Sequence, residues 1–127
     1  MPKPRILIVE DELEYAQMVK MRLESAGYEA LIATDAYLGT QKILQDHVDL
    51  VVLDLNMPMG GGRKVLERIR AIPDKADLPI VILTAAEVDA ETTAFAEAHG
   101  VDVIFCKPYD PQDFLSTIGD ILNADSA

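Results

Sequence analysis

The sequence predicts an α/β fold: an open, doubly wound five-stranded parallel sheet in the order 2-1-3-4-5, with helices on both faces. Three observations lead there. Short apolar runs recur five times, stretches of helical periodicity separate them, and chemically capable side chains stand just past the carboxyl ends of the runs.

The first run is ILIV, Ile6 to Val9. Ala16, Val19, Leu23 and Ala26 then repeat at helical spacing, and Gly27 is placed to end that helix in a left-handed cap. ALIA, Ala30 to Ala33, completes a strand–helix–strand unit. A second helix is predicted over Ala36 to Gln45, followed by LVVL, Leu50 to Leu53. A third covers Arg63 to Ala71 before IVIL, Ile80 to Leu83; a fourth covers Ala90 to His99, with Gly100 as its stop. VIF, Val103 to Phe105, and a fifth helix over Pro111 to Leu122 complete the pattern. Runs this apolar read as strands buried on both faces. Five right-handed βα units cannot close an eight-fold barrel, so the sheet stays open. The predicted order sets the strand ending at Glu10 beside the strand ending at Asp54, at the topological switch point where such sheets bind ligands. At 127 residues the chain reads as one domain, with a core over about residues 4–122 and a short, polar, frayed tail over 123–127.

Composition narrows the function. Acids outnumber bases 22 to 11, and a net charge of -11 argues against direct contact with nucleic acid or an anionic membrane. No apolar run approaches membrane-spanning length. Cys106, the only cysteine, excludes an internal disulfide and a cysteine-based zinc cage, which suits a reducing cytoplasm. It reads as a small buried hydrophobe rather than a reactive thiol. His47 and His99 read as surface residues, and Met57 and Met59 as loop packing.

The strand ends carry the chemistry. Glu10, Asp11 and Glu12 follow the first strand, Asp54 the third, Thr84 the fourth, and Lys107 with Pro108 the fifth. Asp54 alone could be a turn or capping residue. Gathered on one edge, the acids need a counter-charge, because two carboxylates about 4 Å apart repel by roughly 4 kcal/mol at an effective dielectric near 20. Lys107 supplies one unit, and Mg²⁺ would supply two while leaving positions open for a phosphoryl group. An aspartate screened in this way is a usable nucleophile, since it is ionised at neutral pH and needs no general base. The Thr84 hydroxyl and the Lys107 ammonium suit two of the phosphoryl oxygens. The glycines Gly60 to Gly62 turn the chain into the next helix and could bring backbone near the site.

With these residues in view, the sequence resembles the receiver domain of two-component response regulators, the CheY-like, flavodoxin-like fold, over essentially its whole length. The matching features are Glu10 and Asp11, Asp54 in DLNMP, Thr84 and Ala85 in LTA, and Lys107 and Pro108 in KPY. The resemblance implies that Asp54 accepts a phosphoryl group from a sensor histidine kinase or a phosphotransfer protein. It implies Mg²⁺ on Asp11, Asp54 and the backbone carbonyl of Asn56, with Glu10 acting through water. It further implies Thr84 and Lys107 on the phosphoryl oxygens, Ala85 leaving them room, and a cis Lys107–Pro108 peptide. Output to a downstream target or a second copy would use the face of the fourth helix, fifth strand and fifth helix. The only catalysis implied is of its own phosphorylation and dephosphorylation. Three departures stand out: Ile104 replaces the family's aromatic switch residue, Gly61 replaces an acid before the glycine that opens the third helix, and Thr84 to Gly100 is one residue longer than usual, which shifts the phase of the fourth helix.

Two rival functions share parts of this pattern. A phosphatase of the haloacid dehalogenase type also uses an aspartate nucleophile and Mg²⁺, but has an acid where Asn56 stands and its extra metal acids late in the chain. A flavodoxin-like FMN carrier would want a hydroxyl-rich loop after the first strand, where acids stand instead.

Overall fold

Pairing, rather than hydrophobicity alone, sets where the strands begin. The computed structural model describes residues 2–85 and 87–126. β1 (Arg5–Val9) and β2 (Glu29–Ala33) each start one residue before their apolar runs, because Arg5 and Glu29 are register partners whose side chains meet at 3.2 Å. β3 (Leu50–Leu53), β4 (Ile80–Thr84) and β5 (Val103–Cys106) complete a parallel sheet in the order β2-β1-β3-β4-β5. The order of strands is the one predicted.

The helices are α1 (Leu13–Ser25), α2 (Ala36–Gln45), α3 (Gly61–Ala71), α4 (Ala90–Ala98) and α5 (Pro111–Ser126). Gly27 and Gly100 adopt φ of 96° and 66°, the left-handed conformations expected after α1 and α4. Asp35 and Asp89 cap α2 and α4 by accepting the amides of Leu38 and Thr92 at 2.7 and 2.8 Å. Three helix boundaries differ from expectation, that of α4 by one residue, since it ends at Ala98 with His99 as its cap. α3 begins at Gly61 rather than Arg63, because the glycines themselves enter the helix. α5 runs on through Ser126, so residues 123–126 are helical rather than a frayed tail; Ala127 lies outside the described residues.

Alternation along the strands divides the core. Leu7, Val9, Val51, Leu53, Ile80 and Ile82 pack with Ile43, Val65, Leu66 and Ile69 of α2 and α3. Ile6, Ile8, Leu50, Val52, Val81 and Leu83 pack on the other face with Val19 and Leu23 of α1 and Phe114 and Ile118 of α5. β1, β3 and β4 are buried on both faces apart from the half-buried Arg5, but β2 and β5 are only partly so. Both are edge strands with a neighbour on one side only, which corrects the expectation of five fully buried strands. Cys106 ends the edge strand β5 and is exposed, so the buried-hydrophobe reading fails for it. Met57 is buried, but Met59 is 88% exposed and packs nothing. His99 is half-buried, its ring 4.3 Å from that of Phe95 one helical turn earlier and its Nδ1 2.8 Å from the Phe95 carbonyl. His47 is exposed and pairs with Asp49 at 2.8 Å.

Candidate functional site

The site residues stand one step beyond the strands yet remain laddered to the sheet. The amide of Glu10 donates to Ala33 O at 3.1 Å, that of Asp54 to Val9 O at 3.0 Å, and that of Lys107 to Thr84 O at 2.8 Å. These bonds fix three backbones at the carboxyl edge, so their side chains converge with little freedom. Carboxylate oxygens of Glu10, Asp11 and Asp54 lie within 4.8 Å of one another.

Packing behind Asp54 enforces this arrangement. A Cβ on Gly62 would collide with the carbonyl of Asp54 and stand 2.7 Å from that of Leu55, so only glycine lets α3 start this close to the loop after β3. Between them, Met59 and Gly60 turn the chain with φ of 59° and 67°.

Lys107 organises the charges. Its Nζ lies 2.8 Å from Glu10 Oε1 and 3.8 Å from Asp54 Oδ2, and 4.0 Å from the centroid of the Tyr15 ring. Glu10 is buried, and its second oxygen accepts the Glu12 amide at 3.2 Å. Asp54 is also buried, with Oδ1 held by the Asn56 amide at 2.9 Å. Its Oδ2 faces the lysine at a distance too long for a hydrogen bond. Asp11 is exposed, and its pKa is raised, first by burial of the carboxyl and then by the adjoining Glu10. One ammonium thus faces three carboxyl groups, a donor set of hard oxygens that fits a divalent cation such as Mg²⁺.

The remaining predicted residues lie on β4, β5 and the loops that follow them. Thr84 is buried at the end of β4 and lines a cleft of about 110 Å³ with Asn56 and Glu87. Ala85 follows it and is exposed. The Lys107–Pro108 peptide is cis. Ile104 is half-buried and packs toward the core on the α3 and α4 side.

Sequence reasoning missed several participants. Tyr15 lies against Lys107, although they are far apart in the chain and a tyrosine in a first helical turn carries no local signal. Arg63 and Arg70 hold α4 against α3. Arg63 lies 4.6 Å from the Phe95 ring and 3.8 Å from Glu91. Arg70 donates to the carbonyls of His99, Lys75 and Gly100 at 2.6, 3.0 and 3.1 Å, and burial holds its pKa below the usual arginine value.

A doubly wound sheet that gathers three acids and a lysine beside its β1–β3 switch point defines a class: an α/β domain with an acidic pocket at its carboxyl edge. The family model for the response regulator receiver domain matches residues 6–119. The DNA-binding dual master transcriptional regulator RpaA of a Synechocystis species is 33% identical over 120 residues, which is 94% of this chain and 49% of that protein. The response regulator ArlR of Staphylococcus saprophyticus is 33% identical over 114 residues, 90% of this chain and 50% of the relative. The chain therefore spans about half the length of these curated relatives. Among solved structures, a CheY-like receiver domain protein from Methanospirillum hungatei superposes with a TM-score of 0.89 at 29% identity, covering 98% of this chain and 97% of that one. Chemotaxis protein CheY4 of Vibrio cholerae gives 0.86 at 28% identity, covering 94% and 98%.

The chain belongs to the response regulator receiver domain family, and phosphorylation-dependent signalling is its function. The phosphatase alternative finds no support in these relationships. Among the described residues no helix is long and apolar enough to cross a membrane.

Proposed function

We propose that Asp54 is the phosphoryl acceptor, and that residues 1–127 act as a single receiver unit serving a sensor histidine kinase or a phosphotransfer protein. The observation that carries this reading is the asymmetry of the Asp54 carboxylate beside the acidic cluster: Oδ1 is tied to the Asn56 amide, while Oδ2 faces the Lys107 ammonium at 3.8 Å, beyond hydrogen-bond reach. Oδ2 is the attacking atom. It forms the new P–O bond as the P–N bond of a phosphohistidine breaks and the imidazole leaves; water later returns the aspartate and inorganic phosphate. No turnover of any other substrate is assigned to the domain.

Asp11, Asp54 and the Asn56 carbonyl would hold Mg²⁺, which supplies charge neutralisation between the carboxylate and the phosphoryl oxygens. Glu10 supports it through water, since both its oxygens already have protein partners. Thr84 and Lys107 would take phosphoryl oxygens, with Ala85 leaving space beside them. The switched surface includes the α4–β5–α5 face, which meets a downstream target or a second copy. The acidic net charge of -11 speaks against direct nucleic-acid or membrane contact by these residues, and the lone cysteine suits the cytoplasm.

Incubation with Mg²⁺ and a small acyl phosphate tests the reading by intact-mass spectrometry. The wild type should gain one phosphoryl group and Asp54→Asn none. An equal adduct on the variant, or none on the wild type, refutes it.

A further inference from the structure

The ring of Tyr15 is the least expected neighbour of the reacting groups. A lysine attracted by two carboxylates, at 2.8 and 3.8 Å, could occupy any point between them on its flexible four-carbon stem. The Tyr15 face, 4.0 Å from Nζ, removes that freedom from one side, because an ammonium is attracted to the centre of an aromatic face. Tyr15 also lines, with Glu10, Asp54 and Leu83, a crevice that has no room for a water molecule. No water can stand between the ring and the two acids on that side.

The other end of Tyr15 is equally constrained. Its hydroxyl end stands beside Tyr109, and burial first, then that neighbour, raises its pKa above the ordinary phenol value. Tyr109 packs 5.2 Å from Phe114 and 5.8 Å from Phe105, centroid to centroid, and its hydroxyl accepts from Arg22 in the last turn of α1 at 3.4 Å. Lys107, Tyr15, Tyr109 and Arg22 thus stand in succession, with both tyrosines packed against the core cluster shared with α1 and α5. On the opposite face of β5 stands Ile104, packed toward α3 and α4, with neither a ring nor a polar tip. Phe105 and Tyr109, the aromatic residues of β5 and the loop after it, lie on the α1 and α5 side instead.

We propose that Tyr15 is a positioning residue for Lys107, and that through Tyr109 it reports phosphorylation of Asp54 to the α1–α5 face. This rests on the receiver reading of Asp54. Phosphorylation of Oδ2, which makes an acyl phosphate, gives Lys107 a new phosphoryl oxygen to bind; moving toward it changes the contact with the Tyr15 ring. The ring cannot follow freely, because it packs against the core cluster that Tyr109 also contacts, so the displacement passes to Tyr109.

The test measures the initial rate of phosphorylation by a small acyl phosphate in Mg²⁺, with Tyr15→Leu and Tyr15→Phe made in wild-type and Lys107→Ala backgrounds. Loss of the ring should slow the wild-type reaction about fivefold, within the range of a desolvated cation–π contact, and phenylalanine should restore most of it. In the Lys107→Ala background, Tyr15→Leu should cause no further slowing. An equal loss in both backgrounds means that Tyr15 merely packs, and overturns its positioning role. Among the tyrosine ring protons, those of Tyr15 and Tyr109 should shift on phosphorylation while those of Tyr28 and Tyr37 stay; an unmoved Tyr109 overturns the coupling. Failure of the receiver reading is seen separately, as a wild type that takes no phosphoryl group. The ring-current shift of the Lys107 ε-methylene and its loss in Tyr15→Leu then still decide the positioning claim, and a shift unchanged by the substitution refutes it.

Discussion

The two ends of the sheet use aspartate in opposite ways. At the amino end, Asp49 accepts the Arg5 amide at 2.7 Å and meets His47 at 2.8 Å, while Asp102 accepts the Ile80 amide at 3.0 Å. Each of these acids completes a strand that would otherwise start with an unsatisfied donor. At the carboxyl end, Glu10, Asp11 and Asp54 share one ammonium and lie within 4.8 Å of one another. One residue type thus finishes the fold below and burdens it above. Charge left over at the upper end marks the place where a ligand completes the balance.

The strongest way to break this comparison is to disturb the backbone that compresses the upper end. Gly62→Ala would push a methyl group into the carbonyls of Asp54 and Leu55, where no flexible side chain can yield. A loss of about 3 kcal/mol is expected in chemical denaturation, at the upper end of what overpacking costs. A loss under about 1 kcal/mol would show that the loop after β3 relaxes easily, and that the acids are not forced together.

Asp49 and Asp102 sharpen it from the other side. Removing either carboxylate strands a strand-initiating amide, so Asp49→Ala and Asp102→Ala should each cost about 1–2 kcal/mol. Asp49→Asn keeps an acceptor and should recover most of that loss. If alanine were tolerated without cost, the lower aspartates would be ordinary surface charges.

The sequence made the fold legible because its strands, turn glycines and helix periods are local signals. Gly27, Gly100 and the five apolar runs each announce themselves within a few residues. The acid trio was legible by another route: strand order converts residues that follow strands into neighbours. What escaped were contacts without a local signature. Lys107 lies 97 positions from Glu10, and the sequence could not say that it bonds Glu10 rather than Asp54. Tyr15 and Arg70 escaped likewise, since their partners lie on other elements. Cys106 and Met59 were misread because apolar character was taken as burial, whereas the edge position of one and the turn conformation of the other leave both exposed.

The smallest expected effect is the most direct test of the upper end. Asp11 has a raised pKa through burial and the adjoining Glu10, so the folded pocket favours its protonated form. A raised carboxyl pKa contributes stability below the unfolded value of 3.8, and that contribution is lost as pH rises through the folded value. At neutral pH the ionised Asp11 is therefore a cost to the metal-free protein. Asp11→Asn removes it, worth ~0.5 kcal/mol for a partly exposed group, or on the order of 2 °C in melting temperature. The advantage over wild type should shrink as pH falls through the raised value. Mg²⁺ should reverse the order, raising the melting temperature of the wild type and leaving Asp11→Asn nearly unchanged. The same aspartate-to-asparagine change at Asp49 should have the opposite sign, and the same size with and without metal. A metal-free Asp11→Asn that melts below wild type would mean that the upper acids, like the lower ones, are held by the fold for its own sake.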